Sequence, residues 1–289
     1  MTYAIEVHNL SKAFNEQAVL SNINFKIKEG EIVALLGKNG AGKTTLIRLL
    51  NDLLSKDTGT VKIFGQSKPN RNLIGVMPQK SIILDRVKVK EAVNLARSFY
   101  KSPMPFDKLV ELANIGALLD KYTDKLSGGQ LKRVSFAIVM AGNPKLVFLD
   151  EPTAGMDVEA RNEFWQKING FKKLGTTFLI TSHYPEELEK VAGRYLIINN
   201  HRLVFDGSLE QMKKQNQTVK VSFVSQLEKV SFVNLPAVVD INENNNHYVL
   251  KVNGLNAFLP SFIKYLNQVE NLEISQSNLE NLMKKWMED

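Results

Sequence analysis

A glycine-rich loop that ends in a lysine and a threonine is the segment of this sequence best suited to chemistry. It reads Gly37-Lys38-Asn39-Gly40-Ala41-Gly42-Lys43-Thr44. Glycines allow successive backbone N–H groups to turn toward one point, which makes a cradle for anionic oxygens. The Lys43 ammonium would supply positive charge for β- and γ-phosphates, and the Thr44 hydroxyl would bind Mg²⁺. We predict a nucleotide-binding loop with these contact residues: Gly37, Asn39, Gly40, Ala41, Gly42, Lys43, Thr44 and Thr45.

The elements on either side of this loop have the periodicity that a phosphate-binding loop requires. Ile32–Leu36 is continuously apolar, which is typical of a strand covered on both faces. Thr45–Leu54 then has a helical pattern. A merely tight glycine turn is the alternative interpretation. The order of strand, glycine loop and helix, with the lysine and threonine in place, favours the phosphate-binding interpretation.

Two acidic residues follow a second apolar strand at its carboxyl end. Asp150 and Glu151 come directly after Leu146–Leu149. A carboxylate at this edge of a sheet would face the phosphates, so we assign Asp150 to the Mg²⁺ shell. Glu151 is the candidate base that polarises or deprotonates an attacking water. In an arbitrary protein such a pair more often caps a turn or a helix, and its place relative to the other motifs reverses that expectation.

A second glycine-rich turn narrows the class of protein. Leu126-Ser127-Gly128-Gly129-Gln130 precedes a helical pattern that runs to about Met140. Together with the glycine loop and the acidic pair, this turn resembles the signature of the ATPase subunits of ATP-binding cassette (ABC) transporters. The resemblance covers roughly residues 3–215, and every nucleotide motif is intact. It implies an active ATPase with ATP and Mg²⁺ as ligands.

The resemblance also implies a dimer. In this family the turn formed by Ser127, Gly128, Gly129 and Gln130 is a second anion site. It covers the γ-phosphate held by Lys43 of the opposite subunit, so two ATP molecules lie between two subunits arranged head to tail. Asp157 matches the aspartate that links the two sites. We therefore expect an ATP-dependent homodimer; a heterodimer with a related ATPase remains the alternative.

Three further residues are assigned by resemblance. Gln79 matches a loop glutamine that contacts metal or water, and His183 matches a switch histidine that contacts the γ-phosphate. Phe14 lies where the family places an aromatic ring against adenine. Taken singly, these residues would be interpreted as a surface amide, a strand-end histidine and a core phenylalanine. The resemblance implies catalytic roles for Lys43, Gln79, Glu151 and His183, and metal contacts from Thr44, Gln79 and Asp150.

The predicted fold is α/β, of the ABC-type P-loop NTPase class. Residues 1–215 form the ATPase domain, with a mixed core sheet and an N-terminal antiparallel β subdomain. The resemblance implies a helical subdomain inserted at about residues 80–142, and Ala92, Leu95, Ala96 and Phe99 recur there at helical spacing. The polar stretch 213–217 reads as a linker. Residues 218–289 form a small α+β domain with strands near 219–224, 238–241 and 248–252 and helices over 258–266 and 277–287.

Composition sets limits on partners and location. Net charge is +7, and residues 218–289 hold six lysines against eight acidic residues, so residues 1–217 carry +9. A solvated lysine-rich surface explains this charge better than nucleic-acid binding, and no nucleic acid is expected. There is no cysteine, no signal-peptide pattern and no apolar run of membrane-spanning length. The resemblance then implies a cytoplasmic subunit, peripheral on the inner face of the cell membrane, beneath separately encoded permease subunits.

Short strings favour one branch of the family. Ser182-His183-Tyr184-Pro185-Glu186-Glu187 and the tail Leu272–Leu282 are similar to drug- and antibiotic-exporter ATPases. We predict an ATPase that powers export, with an importer ATPase as the alternative. Soluble ribosomal or chromosome-maintenance ABC proteins fit less well, because this chain has one cassette and no long heptad tract. The transported substrate is not predicted.

Overall fold

The computed structural model describes residues 2–80, 83–182, 185–215, 218–276, 279, 282–283 and 286. Contacts divide the chain into two compact units, Met1–Ser208 and Leu209–Asp289. The helix Leu209–Gln215 belongs to the second unit and enters the polar stretch interpreted as a linker.

The first unit contains two sheets and an inserted group of helices. Its strands are β1 (Tyr3–Phe14), β2 (Gln17–Lys28), β3 (Ile32–Gly37), β4 (Thr58–Ile63), β5 (Ile74–Met77), β6 (Leu146–Asp150), β7 (Thr177–Thr181), β8 (Arg194–Asn199) and β9 (Arg202–Gly207). Its α-helices are α1 (Lys43–Leu50), α2 (Val89–Ser98), α3 (Phe106–Ala113), α4 (Gly128–Met140), α5 (Val158–Lys173) and α6 (Pro185–Leu188). Short 3-10 helices cover Arg71–Leu73, Gly116–Leu118 and Thr123–Lys125.

A six-stranded mixed sheet forms the centre of this unit, in the order β5-β6-β7-β3-β8-β9. Neighbours from β5 to β8 are parallel, and only the edge pair β8/β9 is antiparallel. Burial on both faces explains why β3, β6 and β7 are almost continuously apolar. The glycine loop and the acidic pair leave β3 and β6 at the same, carboxyl edge, which is where ligands bind in such sheets.

A second sheet, antiparallel in the order β2-β1-β4, completes the predicted N-terminal β subdomain. The predicted α/β class with a mixed core sheet is confirmed. Helix α1 is shorter than predicted and ends at Leu50, where Asn51 donates its side-chain amide to the carbonyl of Ile47. The same carbonyl also accepts the backbone N–H of Asn51, and Asp52 follows with a φ of 55°, in the left-handed region that is common just after a helix.

The first of the inserted helices buries one face and leaves large apolar residues of the predicted pattern exposed. In α2 the buried side chains are Val89, Ala92 and Val93, whereas Leu95 is 53% and Phe99 77% exposed. The helix predicted from this spacing is confirmed, and two of the apolar residues in the pattern, Leu95 and Phe99, are exposed.

The second unit is a four-stranded antiparallel sheet with helices. Its elements are α7 (Leu209–Gln215), β10 (Thr218–Val224), α8 (Val230–Val233), β11 (Val238–Asn244), β12 (His247–Asn253), α9 (Leu255–Phe262), a 3-10 helix (Ile263–Gln268) and β13 (Glu270–Gln276). The sheet order is β11-β12-β10-β13. Its core is aromatic, and the Phe223 ring lies 4.8 Å from Phe232 and 5.5 Å from Tyr248.

The predicted strands of this unit are present, whereas β13 was not predicted. The predicted helix 277–287 falls mostly outside the described residues. None of the helices within the described ranges is both long enough and apolar enough to cross a bilayer.

Candidate phosphate-binding and catalytic site

The loop between β3 and α1 adopts a backbone that needs glycine at two positions. Gly40 and Gly42 have φ of 81° and 100°, in the left-handed region. A Cβ added at Gly42 would lie 2.9 Å from the Val19 carbonyl oxygen and from Leu20 Cδ2. The chain can therefore turn tightly over β2 only with glycine here, and α1 begins at the next residue with its N-terminal N–H groups unpaired within the helix.

Lys43 lies folded over this loop and is only 8% exposed. Its Nζ donates hydrogen bonds to the carbonyl oxygens of Gly37 (2.8 Å) and Lys38 (3.0 Å). Burial lowers the pKa of Lys43, and the nearby charges of Glu151 and Asp150 oppose this shift. The loop thus concentrates a cation and several backbone donors in one place, a combination that suits a polyphosphate.

A chain of hydroxyl–carboxylate bonds joins α1 to the ends of β6 and β7. The Thr44 hydroxyl donates to Asp150 Oδ2 at 2.9 Å, and the Thr181 hydroxyl donates to Asp150 Oδ1 at 2.7 Å. Asp150 and Thr181 are paired in the parallel register of the two strands. Two oxygen ligands, one hydroxyl and one carboxylate, therefore lie together beside the phosphate loop, and this donor set fits a hard cation such as Mg²⁺.

Glu151 is held in an unusual backbone conformation next to this pair. Its φ is 51°, in the left-handed region where side chains are disfavoured. Its N–H donates to the carbonyl (3.2 Å) and hydroxyl (3.0 Å) oxygens of Thr181, which fix the turn. Its Oε2 accepts a 2.6 Å hydrogen bond from Nε2 of Gln79. The described structure therefore brings Gln79 and Glu151 into direct contact, although 72 residues separate them.

These residues line one open cavity of about 340 Å³. Its lining residues are Asn39, Gly40, Gly42, Lys43, Thr44, Thr45, Gln79 and Glu151. All eight are predicted site residues, whereas the predicted residues Gly37, Ala41 and Asp150 are not among those that line this cavity. His183 lies outside the described residues.

The glycine turn of residues 127–130 is not part of this cavity lining. Ser127 is the N-cap of α4: its hydroxyl accepts a hydrogen bond from the N–H of Gln130, and the Gln130 side chain accepts one from the N–H of Ser127. The Cβ positions of Gly128 and Gly129 would lie 3.7 Å from Gly155 O and 3.6 Å from Met156 Cγ. Within one chain, this turn contacts the segment before Asp157 and not the phosphate loop.

Asp157 and Phe14 occupy two further positions. Asp157 is the N-cap of α5, and its Oδ1 accepts a 2.8 Å hydrogen bond from the N–H of Ala160. Phe14 ends β1 and is 45% exposed, so it is not a core residue. The Lys12 ammonium lies 5.3 Å from the centre of its ring and also pairs with Asp57 at 2.6 Å. The ring is thus available at the surface for a planar ligand.

Sequence reasoning missed two polar residues around the site, Thr181 and Lys132, and a third, Glu187, whose contacts are with Thr153, Trp165 and Arg161. Thr181 supports both acidic residues; the signal was a polar residue ending an apolar strand at the same edge as Asp150. Lys132 donates to backbone carbonyls of two site residues. Glu187 accepts hydrogen bonds from Thr153 (3.3 Å) and Trp165 (2.9 Å) and pairs with Arg161 at 2.8 Å.

Comparison with known proteins agrees with this geometry. A family profile described as ABC transporter matches residues 20–154, a span that holds the phosphate loop, the signature turn and the acidic pair. The Nod factor export ATP-binding protein I of Burkholderia orbicola is 33% identical over 214 residues, covering 71% of this chain and 70% of that protein. The protein of the same name from Sinorhizobium fredii is 32% identical, and the match covers 71% of this chain and 62% of the relative.

Solved structures show the same fold. An ATP-binding subunit of an ABC transporter matches with a TM-score of 0.66 at 24% identity, over 74% of this chain and 93% of that chain. CbiO1 of Clostridium perfringens, described as part of the ABC transporter complex CbiONQ, matches with a TM-score of 0.65 at 26% identity, over 75% and 92%. The fold and site define the class of ABC ATP-binding subunits. This chain belongs to the ABC transporter family, which confirms the resemblance inferred from its motifs.

Proposed function

We propose that this chain is the ATP-hydrolysing subunit that powers export of a substrate through separately encoded permease subunits. One observation carries the proposal. A single cavity joins the phosphate loop, Lys43, Thr44, Gln79 and Glu151. It therefore combines an anion cradle with a carboxylate able to accept a proton from water.

Different residues at the site contact the phosphates, the base and the Mg²⁺ ion. The glycine loop and Lys43 hold the phosphates of ATP, and the exposed ring of Phe14 stacks on the base. Thr44, Asp150 and Gln79 would hold Mg²⁺, which supplies charge neutralisation at the phosphate oxygens when bound. Glu151 takes the proton of the attacking water, and His183 contacts the γ-phosphate.

A second subunit completes the site. The signature turn at Ser127–Gln130 carries backbone N–H groups at the start of α4, yet it does not line the cavity of its own chain. In a head-to-tail homodimer the turn of one subunit covers the γ-phosphate held by the other, and Asp157 lies between the two sites. ATP then favours the closed dimer, because only that state contacts each nucleotide from both sides.

Export is supported by the relatives, which are named as Nod factor export ATP-binding proteins. The site would act at the inner face of the cell membrane. To test direction, inside-out vesicles carrying this chain and its permease subunits are given candidate compounds and external Mg-ATP. ATP-dependent accumulation inside the vesicles is expected with the wild type and not with Lys43→Ala. Loss of substrate uptake by whole cells of the same mutant, with no vesicle accumulation in the wild type, would support the importer alternative.

The Phe14 ring gives a prediction on nucleotide affinity. Base–aromatic stacking contributes about 1–3 kcal/mol, so Phe14→Ala should weaken ATP binding roughly 5- to 150-fold. Because Phe14 is 45% exposed, folding should be unaffected. Titration calorimetry with a hydrolysis-deficient background measures the dissociation constant. Phe99→Ala, which removes a ring that is 77% exposed on α2, is the matched control and should bind ATP normally. Equal affinities for the two variants would remove Phe14 from the site.

The segment after Gln79 gives a prediction on coupling. Ile82, Ile83 and Leu84 form an apolar run in the sequence, for which we predict a surface loop. Ile83 is 53% exposed, so it is not buried in a local core. Ile82 lies outside the described residues. An exposed isoleucine beside the inserted helices fits a permease contact. Ile83→Asp should keep basal ATP turnover and abolish substrate transport in the vesicle assay. Leu53→Asp, at a residue that is 60% exposed and follows α1, should leave both activities intact. Normal transport by Ile83→Asp would contradict this contact.

A further inference from the structure

Lys132 is a buried cation that the family motifs do not assign. It lies in α4, five residues after the N-cap Ser127, and is 6% exposed. Its Nζ donates a 2.6 Å hydrogen bond to the carbonyl oxygen of Gln79 and lies 3.5 Å from the carbonyl oxygen of Glu151. One side chain thus contacts the backbone of both polar residues that face the reacting end of the cavity.

We infer that Lys132 is a positioning residue for hydrolysis, which fixes Gln79 and Glu151 of its own chain relative to the signature helix α4. The inference rests on the proposed function. It assigns Lys132 no contact with ATP, because Lys132 is not among the residues that line the cavity.

The chemistry of the contact explains why a cation is needed. Burying an ammonium is unfavourable unless hydrogen bonds and nearby negative charge compensate it. Burial lowers the pKa of Lys132, while the charges of Glu151 and Asp150 oppose that shift. Two carbonyl acceptors and two neighbouring carboxylates therefore hold the ammonium in place. An apolar residue of the same length would fill the space but would leave the Gln79 carbonyl without this donor.

The contacts form a closed path. Lys132 holds the backbone of Gln79, the Gln79 side chain donates to Glu151 Oε2, and Lys132 returns to the backbone of Glu151. Thr181 holds Glu151 from the other side. A displacement of α4 would therefore move the amide and the carboxylate together. Ser127 lies about 7.5 Å along the helix from Lys132. Helix α4 therefore carries both the signature turn, which contacts the nucleotide of the opposite subunit, and Lys132, which holds Gln79 and Glu151 beside the nucleotide of its own subunit.

The first test separates kcat from KM. Lys132→Met should lower kcat for ATP hydrolysis about 10- to 100-fold, because a shift of about 1 Å in reacting groups costs on the order of 100-fold. KM for ATP should change less than about twofold, since the phosphate contacts remain. Lys132→Arg should recover most of the turnover. Lys108→Met, at an exposed lysine on α3, is the matched control and should behave as wild type.

Two results would overturn the inference. One is unchanged kcat in Lys132→Met. The other is equal loss in Lys132→Met and Lys132→Arg with a lowered melting temperature, which would indicate a purely structural role. If Lys43→Ala and Glu151→Gln lose turnover while Lys132→Met does not, the proposed function stands and only the role of Lys132 fails. If none of the three variants changes turnover, the proposed function itself fails.

A mixed dimer locates the effect in one chain. A Lys43→Ala chain and a Ser127→Arg chain together form one whole composite site, which uses Glu151 of the Ser127→Arg chain. Lys132→Met should lower its turnover when placed in that chain and leave it unchanged in the Lys43→Ala chain. An equal effect from either chain would contradict positioning within the same chain.

Discussion

Glu151→Gln is expected to lower kcat for ATP hydrolysis by about 10²–10⁴-fold, the usual contribution of a general base. The amide keeps the shape of the side chain and can still contact Gln79, but it cannot accept the proton of the attacking water. Binding of ATP should persist because the glycine loop, Lys43 and Thr44 are untouched. The measurement is steady-state phosphate release, together with the ATP dissociation constant of the same protein.

The same variant should accumulate as an ATP-bound dimer. In the proposed dimer, hydrolysis releases the bridging γ-phosphate, so a protein that binds ATP without turnover should stay closed. Light scattering should give the mass of a dimer with Mg-ATP and a smaller average mass without nucleotide. Glu187→Gln, at a glutamate held by Trp165 and Arg161 and absent from the cavity lining, controls for the loss of a nearby acid. Wild-type turnover in Glu151→Gln would remove Glu151 from the role of base.

The sequence predicted the parts of the site that are built from consecutive residues. The glycine loop follows a buried strand, and Asp150 ends another, because parallel strands in a covered sheet are continuously apolar up to a polar residue at the carboxyl edge. Chain order and periodicity were sufficient to place these groups at the same edge. The alternation of strands and helices predicted a mostly parallel sheet, and the family resemblance implied the mixed sheet and the antiparallel β subdomain.

Contacts between distant segments could not be predicted in this way. The bond from Gln79 to Glu151 depends on the parallel register of β5 and β6, in which Met77 pairs with Leu149, and no local pattern encodes that register. Lys132 did leave a signal, since Lys132, Phe136 and Met140 recur every four residues and all are buried. That spacing predicts burial of the lysine but not the carbonyls that receive its hydrogen bonds.

The sequence also did not predict which apolar residues of α2 are exposed. Leu95 and Phe99 share the helical spacing of Ala92, yet Ala92 is buried with Val89 and Val93 whereas Leu95 and Phe99 are exposed. Periodicity defines an apolar face but not what covers it. In a subunit that works with a permease, an apolar face can be reserved for a partner, and intrachain packing then does not account for it.

A mixture of two inactive variants should regain ATP hydrolysis. Lys43→Ala damages the phosphate loop and leaves the signature turn intact, whereas Ser127→Arg damages the turn and leaves the loop intact. Each homodimer has one damaged half in both of its composite sites and should be inactive. In the mixed dimer one composite site contains both substitutions. The other site combines an unchanged Lys43 from one chain with an unchanged Ser127 from the partner chain. Half of the wild-type turnover per dimer is the upper limit if one whole site can act alone.

This mixing experiment tests most directly the claim that ATP is hydrolysed between two subunits. The two variants carry different affinity tags, and mixed dimers are purified through both before phosphate release is measured. Each homodimer purified alone is the control. We predict clear activity in the doubly tagged fraction and none in either homodimer. Activity of the Ser127→Arg homodimer near the wild-type rate, or no activity in doubly tagged dimers of confirmed composition that still bind ATP, would contradict a whole site built from Lys43 of one chain and Ser127 of the other.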